Sequence, residues 1–558
     1  MTHVAFFIAI VAASLLCSAT LTAAAVRIDR PWLRWLLIAM AGVGPALALL
    51  PWLAGSVTLA FGVKLQVNWF APVLTAFLSA LIGSAWIIWA GLRPIAGGLA
   101  IPTATRWPLV GLVAAFLLAK VVAGGTLLTL DSGMTARASG MKAEAVDLIQ
   151  ANLPPHVADA ANAAFLYEAA FAVLEADPLL TGPNSPLTKS ATISLPDTAV
   201  TALLARHRET LSLVRQAAGH DICRFTRDWS RVSLDLVLPE LQSMRQAAQL
   251  MQLAARQRAA NGDPSGALDD VVLLHRMGRH AAAEPILISG LVGLAIDSMA
   301  LDTLAQVLPT ISPLNIDLLE NDAIRDLVHV APSFKRHFFG EEAFGTMLFA
   351  SLCDGGSAND TFDLLEPIAA SGSPTGLWLS LFKPLIGPFI RVFLLPEDFQ
   401  AYRSTLRAYQ QLLAQPKPFT EIIREAKAIE DAISTDRRGI LTSLLAPSLS
   451  SCIRSVIRSQ ALHRAAAVAV AVTRYQVAKG NQPQTLDDLG PDFLPLALAD
   501  PFVNSAPLRL KQTGTGIVIY SVGPDAEDAG GPVTPGAEPA AGNDDVGLHV
   551  PQSVFQTQ

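Results

Sequence analysis

The sequence has few charged residues and no paired cysteine motif. Asp, Glu, Lys and Arg make up only 16% of the 558 residues, whereas hydrophobic residues make up 51%. This composition excludes a largely disordered chain and favours a membrane protein with globular parts. The absence of a C-x-x-C pair excludes a disulfide scaffold and a cysteine-based zinc site. Of the four cysteines, Cys17 lies in the first apolar stretch; the other three, Cys223, Cys353 and Cys452, are interpreted as buried thiols, although one pair could bridge.

Motifs of the common enzyme classes are also missing. The chain contains no G-x-S-x-G sequence, no P-loop, and no G-x-G-x-x-G sequence after a predicted strand. Neither of its two His and Glu groups has the H-E-x-x-H order of a zinc protease, and both are interpreted as capping or surface residues. These groups are His275, His280 and Glu284, and then His337, Glu341 and Glu342.

Charge is divided unevenly along the chain. The first 130 residues carry seven basic side chains and one acidic side chain, net +6, so the remainder carries 33 basic and 46 acidic side chains, net −13. Neither part contains a basic cluster that would hold a phosphate backbone, which excludes a nucleic-acid-binding protein.

Four long apolar stretches occupy the first 130 residues. Each is long enough for the ~20 residues that cross a bilayer core, and only Lys120 interrupts them. Seven of the nine tryptophans lie in the first 107 residues, mostly at the ends of these stretches. Tryptophan side chains prefer the headgroup layer of a membrane, which is where the ends of a span lie. No basic n-region precedes the first stretch, so we expect an uncleaved span; cleavage would leave three. The predicted spans are Val4–Val26, Trp35–Ala54, Trp69–Gly91 and Trp107–Leu130.

The loops between the spans set the predicted orientation. Arginines lie in the first loop, within residues 27–34, and around the third, within residues 93–106, whereas the second loop carries only Lys64. Because basic loops stay in the cytoplasm, we expect a multi-pass protein of the cytoplasmic (inner) membrane, with both termini and residues 131–558 outside. Lys120 is interpreted as reaching the membrane surface, and a transporter or receptor that uses the four spans is an alternative.

Residues 131–447 are predicted to form an extracytoplasmic helical domain. Apolar residues recur there at spacings of three and four, and prolines separate the runs. The run Leu250–Asn261, a Gly-Asp-Pro turn and the run Ser265–Arg279 predict a tetratricopeptide-like helical hairpin. The predicted helices are Met141–Asn152, Asp159–Ala176, Asp197–Ala218, Leu238–Asn261, Ser265–Ala283, Pro285–Val307, Pro313–Val330, Ser333–Leu352, Phe399–Ala414 and Phe419–Ile433.

Residues 448–558 are predicted to form a small α+β module. An alanine-rich helix, Ser451–Lys479, ends at a glycine, and two short strands, Pro507–Gln512 and Gly516–Ser521, form a hairpin. A returning strand over Val546–Val550 would bring the acids before it back to this hairpin.

The order of motifs in this module resembles the globular domain of type II secretion major pseudopilins. The shared pattern runs from Tyr475 through Asp500-Pro501-Phe502 to Tyr520-Ser521-x-Gly-x-Asp525 and Gly542-Asn543-Asp544-Asp545-Val546. The whole layout resembles large, uncharacterised planctomycete-type multi-pass membrane proteins, in which Asn162-Ala163-Ala164-x-x-Tyr167 precedes the same ending. A pseudopilin begins with a basic leader and one long apolar helix, so the pseudopilin resemblance is confined to about residues 451–551.

The pseudopilin resemblance implies a calcium site in the loop after the hairpin. It assigns Asp525, Asp544 and Asp545 as metal ligands, with backbone carbonyls near Ser521 and Pro524. Calcium takes roughly six to eight oxygen ligands, and clustered carboxylates on a loop rich in glycine and proline supply them. The alternative is a solvated acidic loop.

Together these features predict a mainly α protein with four N-terminal transmembrane helices, a large extracytoplasmic α-helical domain and a small α+β pseudopilin-like module. The predicted function is a membrane-anchored, non-enzymatic interaction or assembly protein of the cell envelope, related to secretion, whose partners are the lipid bilayer and envelope proteins. The alternative is an extracytoplasmic hydrolase whose acids, such as Glu284, Glu341 and Glu342, meet in a cleft.

Overall fold

The computed structural model describes most of the chain after residue 132. The described residues are 133–134, 136–181, 197–229, 238–330, 334–354, 395–414, 417, 419–435, 442, 449–494, 498–503, 506–531 and 544–552. From Met134 onward they belong to one compact unit, Met134–Gln558. The four predicted membrane spans lie outside the described residues. Within these residues the chain is mainly helical with one three-stranded sheet, which confirms the predicted helical class for this region.

The observed elements follow the predicted order along the chain. Short 3₁₀ segments lie at Asp159–Ala161, Leu308–Thr310, Ile316–Glu320 and Leu486–Leu489, and single helical turns lie at Pro178–Thr181 and Gly490–Phe493. The longer helices are α1 (136–152), α2 (Ala163–Glu175), α3 (Asp197–Arg206), α4 (Arg208–Gly219), α5 (Pro239–Ala260), α6 (Pro264–Ala281), α7 (Leu287–Val307), α8 (Asp322–His329), α9 (Lys335–Cys353), α10 (Leu395–Ala414), α11 (Phe419–Thr435) and α12 (Leu449–Lys479). The strands are β1 (Arg509–Thr513), β2 (Gly516–Ser521) and β3 (Val546–Pro551).

Two helices that we predicted as continuous are interrupted in the structure. The run Asp197–Ala218 divides at His207, whose Nε2 lies 3.1 Å from Asp177 Oδ2. The run Pro313–Val330 divides at Asn321, which is extended and accepts a hydrogen bond from the backbone two residues on. At both breaks a polar side chain makes a specific hydrogen bond, which competes with continuing the helix.

Helix α7 is the centre of the core. It packs against α5, α6, α9 and α12 and against strand β3. Its apolar residues point to all sides, as is typical of a helix enclosed by protein. Within the described ranges, Leu287–Thr310 is the one helical stretch long and apolar enough to cross a membrane, and 61% of its most apolar window is buried inside this unit.

The three strands form an antiparallel sheet in the order β1-β2-β3. On the central strand, Ile519 lies opposite Leu510 of β1 and Leu548 of β3. Helix α12 packs against β2 and β3, and β3 also packs against α7. The domain boundary at residues 447–448 stays a prediction. One apolar core contains residues from both sides of this boundary.

Candidate functional site

Asp297 of α7 lies between two histidines inside the core. Its Oδ1 is 2.6 Å from Nδ1 of His275 on α6, and its Oδ2 is 2.7 Å from Nε2 of His463 on α12. The other ring nitrogen of His463, Nδ1, lies 2.8 Å from the backbone carbonyl of Leu327 on α8. All three side chains are buried. This Asp-His-His triad therefore joins four helices, one of which, α12, begins the predicted C-terminal module.

A close approach of α6 and α7 positions the triad. A Cβ on Gly278 would lie 2.9 Å from the Gly293 carbonyl oxygen and 3.3 Å from Asp297 Cβ, so this crossing requires glycine. Burial by itself would raise the pKa of Asp297, but the hydrogen bonds from His275 and His463 outweigh burial and hold this pKa below its usual value. Asp297 is therefore a carboxylate at neutral pH.

His280 makes a second buried contact, near the Asn162-Ala163-Ala164-x-x-Tyr167 motif. Asn162 caps α2 and exchanges two 2.9 Å hydrogen bonds with the backbone of Arg224, which fixes the start of the helix that carries Tyr167. The Tyr167 hydroxyl lies 3.1 Å from His280 Nδ1. Burial lowers the pKa of His280 to about 4, although a backbone hydrogen bond with His220 opposes the change. A neutral His280 accepts a hydrogen bond from the Tyr167 hydroxyl. Through this hydrogen bond the motif fixes the contact between α2 and α6.

Glu284 lies in the buried turn between α6 and α7. Its Oε1 is 3.4 Å from Nε of Arg227, which also pairs with Glu240. Within the described part of the chain, the other oxygen, Oε2, has no hydrogen-bond partner. Burial raises the pKa of Glu284 to about 7, against the opposing charge of Arg227. A carboxyl group with this pKa can exchange a proton near neutral pH, so Glu284 is the strongest single candidate for acid–base chemistry.

His337, Glu341 and Glu342 do not form one site, because each has different hydrogen-bond partners. Both ring nitrogens of His337 face backbone carbonyl oxygens, at 3.0 and 3.3 Å, and burial lowers its pKa to about 4. Glu342 accepts hydrogen bonds from Arg403 at 3.0 Å and from Arg407 at 3.4 Å. Burial raises the pKa of Glu341 to about 7, and a backbone hydrogen bond opposes the rise.

The acids of the predicted hydrolase cleft therefore do not meet. Within the described ranges, no hydrogen bond or ion pair joins any two of His280, Glu284, Glu341 and Glu342. The interpretation of the two groups as capping or surface residues is also wrong for five of the six, because His275, His280, Glu284, His337 and Glu342 are buried. Helical spacing predicts which side chains share a face, but it does not predict which face the core covers.

The contact between Asp297 and His463 was not predicted from the sequence. A signal was present, since Asp297 is the one charged residue between Leu287 and Ala300, within the one described helical stretch that is long and apolar enough to cross a membrane. A lone ionisable residue in such a helix requires a buried partner. The partner lies 166 positions further along the chain, and no local pattern points to it.

The predicted calcium ligands lie around one loop because β3 returns to β2. Gly523 has φ +71°, and a Cβ there would lie 2.0 Å from the Asp544 carbonyl oxygen. Asp545 is buried, and its Oδ2 accepts the backbone N–H of Gly531 at 2.7 Å. Asp525 is exposed, and its Oδ1 accepts a backbone N–H two residues on at 3.1 Å.

The acids of this loop influence one another without forming a complete ligand set. Burial raises the pKa of Asp545, and the negative charges of Asp528 and Asp525 add to the rise. Among the described residues, no group of three or more His, Cys, Asp or Glu side chains is arranged to hold a metal ion. Calcium binding stays a prediction.

A small cavity lies between α1, α9 and α10. Its volume is about 220 Å³, and apolar side chains such as Met141, Phe349 and Phe399 line it, with Arg137 and Arg403 among its polar residues. Ligand pockets more often measure ~300–1,000 Å³. None of the predicted site residues lines this cavity.

No protein-family model, no curated protein and no solved structure matches this chain. The resemblance of the C-terminal module to pseudopilins stays a prediction from its motifs.

Proposed function

We propose that this chain is a membrane-anchored, non-enzymatic interaction or assembly protein of the cell envelope. The observation that carries the proposal is the use of its buried polar groups. Asp297 joins α6, α7 and α12, and Asn162 joins α2 to the segment after α4. Such contacts tie together segments that are far apart in the sequence, which supports a role in presenting surfaces to partners.

The membrane anchor in this proposal is tested by its orientation. Alkaline phosphatase fused after residue 140 should be active, because the predicted fourth span places that residue outside the cytoplasm. The same enzyme fused after residue 98 should be inactive. The reverse pattern would contradict the orientation and every function proposed for the outer face.

An apolar face of α2 offers the first surface to test for partners. Phe165 and Val173 are 43% and 49% exposed, and they lie just over two helical turns apart on the exposed part of the helix. Exposed apolar side chains grouped in this way are typical of contact surfaces. Another exposed apolar residue, Leu314 (97% exposed), lies outside α2 and serves as a control position.

Crosslinking of the intact protein in its native membrane, followed by capture, tests the proposal. We expect discrete envelope proteins with the parent and with Leu314→Ser, and weaker recovery of the same proteins with the double variant Phe165→Ser/Val173→Ser. If the parent recovers no protein beyond those recovered with an unrelated membrane protein, the proposal fails.

The second candidate is an extracytoplasmic hydrolase, and Glu284 is the observation that favours it. Its carboxyl group has a pKa of about 7 and one oxygen without a hydrogen-bond partner among the described residues. Hydrolysis of a panel of chromogenic esters, glycosides and peptides by the detergent-solubilised chain tests this function. Turnover that Glu284→Gln abolishes would favour the enzyme, and equal background rates for both proteins would exclude it for these substrates.

The calcium ion is part of the proposal for the C-terminal module. Its support is the placement of Asp544 and Asp545 beside the loop that carries Asp525. Carboxylates and backbone carbonyls are the ligands that calcium prefers. In that role the ion would stabilise the loop between β2 and β3 without taking part in a reaction.

A further inference from the structure

We propose that Arg276, Arg279 and Arg336 form a binding site for a phosphate group. The first two arginines lie on α6 and the third lies on α9. This site is additional to the proposed interaction surface and does not depend on it.

The fold brings the three arginines together near the ends of α4 and α6. Arg336, in the first turn of α9, donates a hydrogen bond to the carbonyl oxygen of Ala282, 54 positions earlier, where α6 ends. Arg276 and Arg279 are three positions apart on α6, so their side chains are neighbours on its surface. Nη1 of Arg276 lies 3.4 Å from the carbonyl oxygen of Gly219, the last residue of α4.

The three arginines form no ion pair with an acidic side chain in the described part of the chain. Arg336 is partly buried, and its hydrogen bond goes to a carbonyl oxygen, which carries no net charge. Buried charges in proteins are normally paired with an opposite charge. Several other partly buried arginines follow this rule, namely Arg215 with Asp270, Arg227 with Glu240, and Arg256 with Asp302. The group around Arg336 therefore lacks a counter-charge.

The electrostatic field at these arginines is positive. Burial lowers the pKa of Arg336, and the charge of Arg279 lowers this pKa further. Burial also lowers the pKa values of Arg256 and Arg464, but there the charge of a nearby aspartate opposes the change. The charged side chains that act on His280 are all basic, namely Arg279, Arg276 and His220.

The two helix ends offset only part of this charge. Each helix C-terminus carries about half a negative charge, so the ends of α4 and α6 together offset about one of the three positive charges. About two positive charges remain, and a phosphate monoester carries about −1.5 to −2 at pH 7. A carboxylate would balance only half of them.

The guanidinium groups also have donors that remain available. Each guanidinium has five N–H groups, and the contacts with carbonyl oxygens use one on Arg276 and one on Arg336. Arg279 is exposed and has no hydrogen-bond partner among the described residues, so a ligand reaches the site from solvent. Planar guanidinium groups bind phosphate oxygens through paired, charge-assisted hydrogen bonds.

Thermal unfolding of the full chain in phosphatidylcholine nanodiscs tests the site. Inorganic phosphate is added up to about 20 mM, because a ligand that binds only the folded state raises its stability. Sodium chloride keeps the ionic strength constant, so that general screening of surface charges does not change. In the parent, we expect a saturable rise of about 1–3 °C in the unfolding temperature.

Variants of exposed arginines separate the site from a general effect of phosphate. Arg279→Gln should weaken the apparent affinity by roughly tenfold or more, because a charge-assisted hydrogen bond is lost. Arg276→Gln should also weaken it. The control is Arg245→Gln on α5, which also removes an exposed arginine and should respond as the parent does, because Arg245 acts on neither Arg336 nor His280.

Nanodiscs that also contain phosphatidic acid distinguish two sources of the phosphate group. If a lipid headgroup occupies the site, phosphatidic acid should stabilise the parent more than Arg279→Gln, and added phosphate should then have little effect. If a soluble phosphate ester occupies it, the response to inorganic phosphate should be equal in both kinds of nanodisc. A parent that phosphate does not stabilise, or an equal response in Arg279→Gln and the parent, would overturn the proposal.

Discussion

The Ser521 hydroxyl at the end of β2 donates a 2.7 Å hydrogen bond to Oδ1 of Asp500. The same buried carboxylate accepts the backbone N–H groups of Phe502 at 2.9 Å and Val522 at 3.1 Å. The Phe502 ring in turn packs edge-on against Phe419 of α11, with 4.5 Å between the ring centroids. The Asp-Pro-Phe sequence, one of the motifs of the pseudopilin resemblance, therefore connects the central strand to a helix of the helical region.

Asp500→Ala should destabilise the chain severely. The change removes the acceptor of three hydrogen bonds in a buried site, and each unpaired buried donor costs about 1–3 kcal/mol. We expect the free energy of unfolding to fall by ~3 kcal/mol or more, measured by urea denaturation in detergent. The exposed Asp492→Ala is the control and should change stability by less than ~0.5 kcal/mol. Equal stability of the two variants would show that Asp500 does not hold β2.

Gly340→Ala should prevent the packing of α9 on the turn before α7. A Cβ at Gly340 would lie 1.2 Å from the Pro285 carbonyl oxygen, so the backbone must move. We expect a loss of about 3 kcal/mol or failure to fold, measured by thermal unfolding followed by circular dichroism.

Gly140→Ala is the matched control for the Gly340 prediction. Gly140 lies in α1, where a Cβ would contact nothing within 4 Å. Alanine there should stabilise the protein by ~0.5–1 kcal/mol, because it restricts the unfolded chain. A destabilising effect of Gly140→Ala as large as that of Gly340→Ala would contradict the assigned close approach.

Glu284→Gln should stabilise the protein at pH 8 and much less at pH 5. The pKa of Glu284 is about 7 in the folded protein, against 4.5 for a glutamate that is not buried. The folded state therefore binds the proton more tightly than the unfolded state. Stability is therefore lost as pH rises from 4.5 through 7, by roughly 3 kcal/mol in total. The glutamine variant avoids this loss, and urea denaturation at the two pH values measures it.

The exposed Asp269→Asn on α6, the helix before this turn, is the control for the Glu284 prediction. It removes one negative charge without changing a buried group. Its effect on the free energy of unfolding should be small at both pH values. If Glu284→Gln lowers stability equally at pH 5 and pH 8, burial does not control the ionisation of this carboxyl group.

Calcium should raise the unfolding temperature of the full chain if the loop binds it. A site with a Kd of about 0.1–1 mM, typical of extracellular modules, would gain roughly 1.4–2.7 kcal/mol at ~10 mM calcium. Asp525→Ala should remove the gain, and magnesium at the same concentration should not reproduce it. An unfolding temperature that calcium leaves unchanged would reject the site. The full chain is used because α12 and the sheet share their core with α7.

The order and bounds of most elements were predictable from the sequence because their causes are local. The apolar spacing and the Gly480 stop placed α12 to within two residues of its observed start at Leu449. The hairpin signal placed β2 at Gly516–Ser521, which is its observed range. His207 interrupts a predicted helix because its partner, Asp177, lies 30 positions earlier, outside the range of any helical pattern.

The sequence by itself determined which segments are helical or extended, because spacing, prolines and glycines act over a few residues. Only the tertiary structure decided which polar side chains meet. His280 and Glu284 share a helical spacing but end in different contacts, whereas Asp297 and His463 meet across 166 positions. Long-range packing buries these groups, and burial then requires each of them to find a partner wherever the fold provides one.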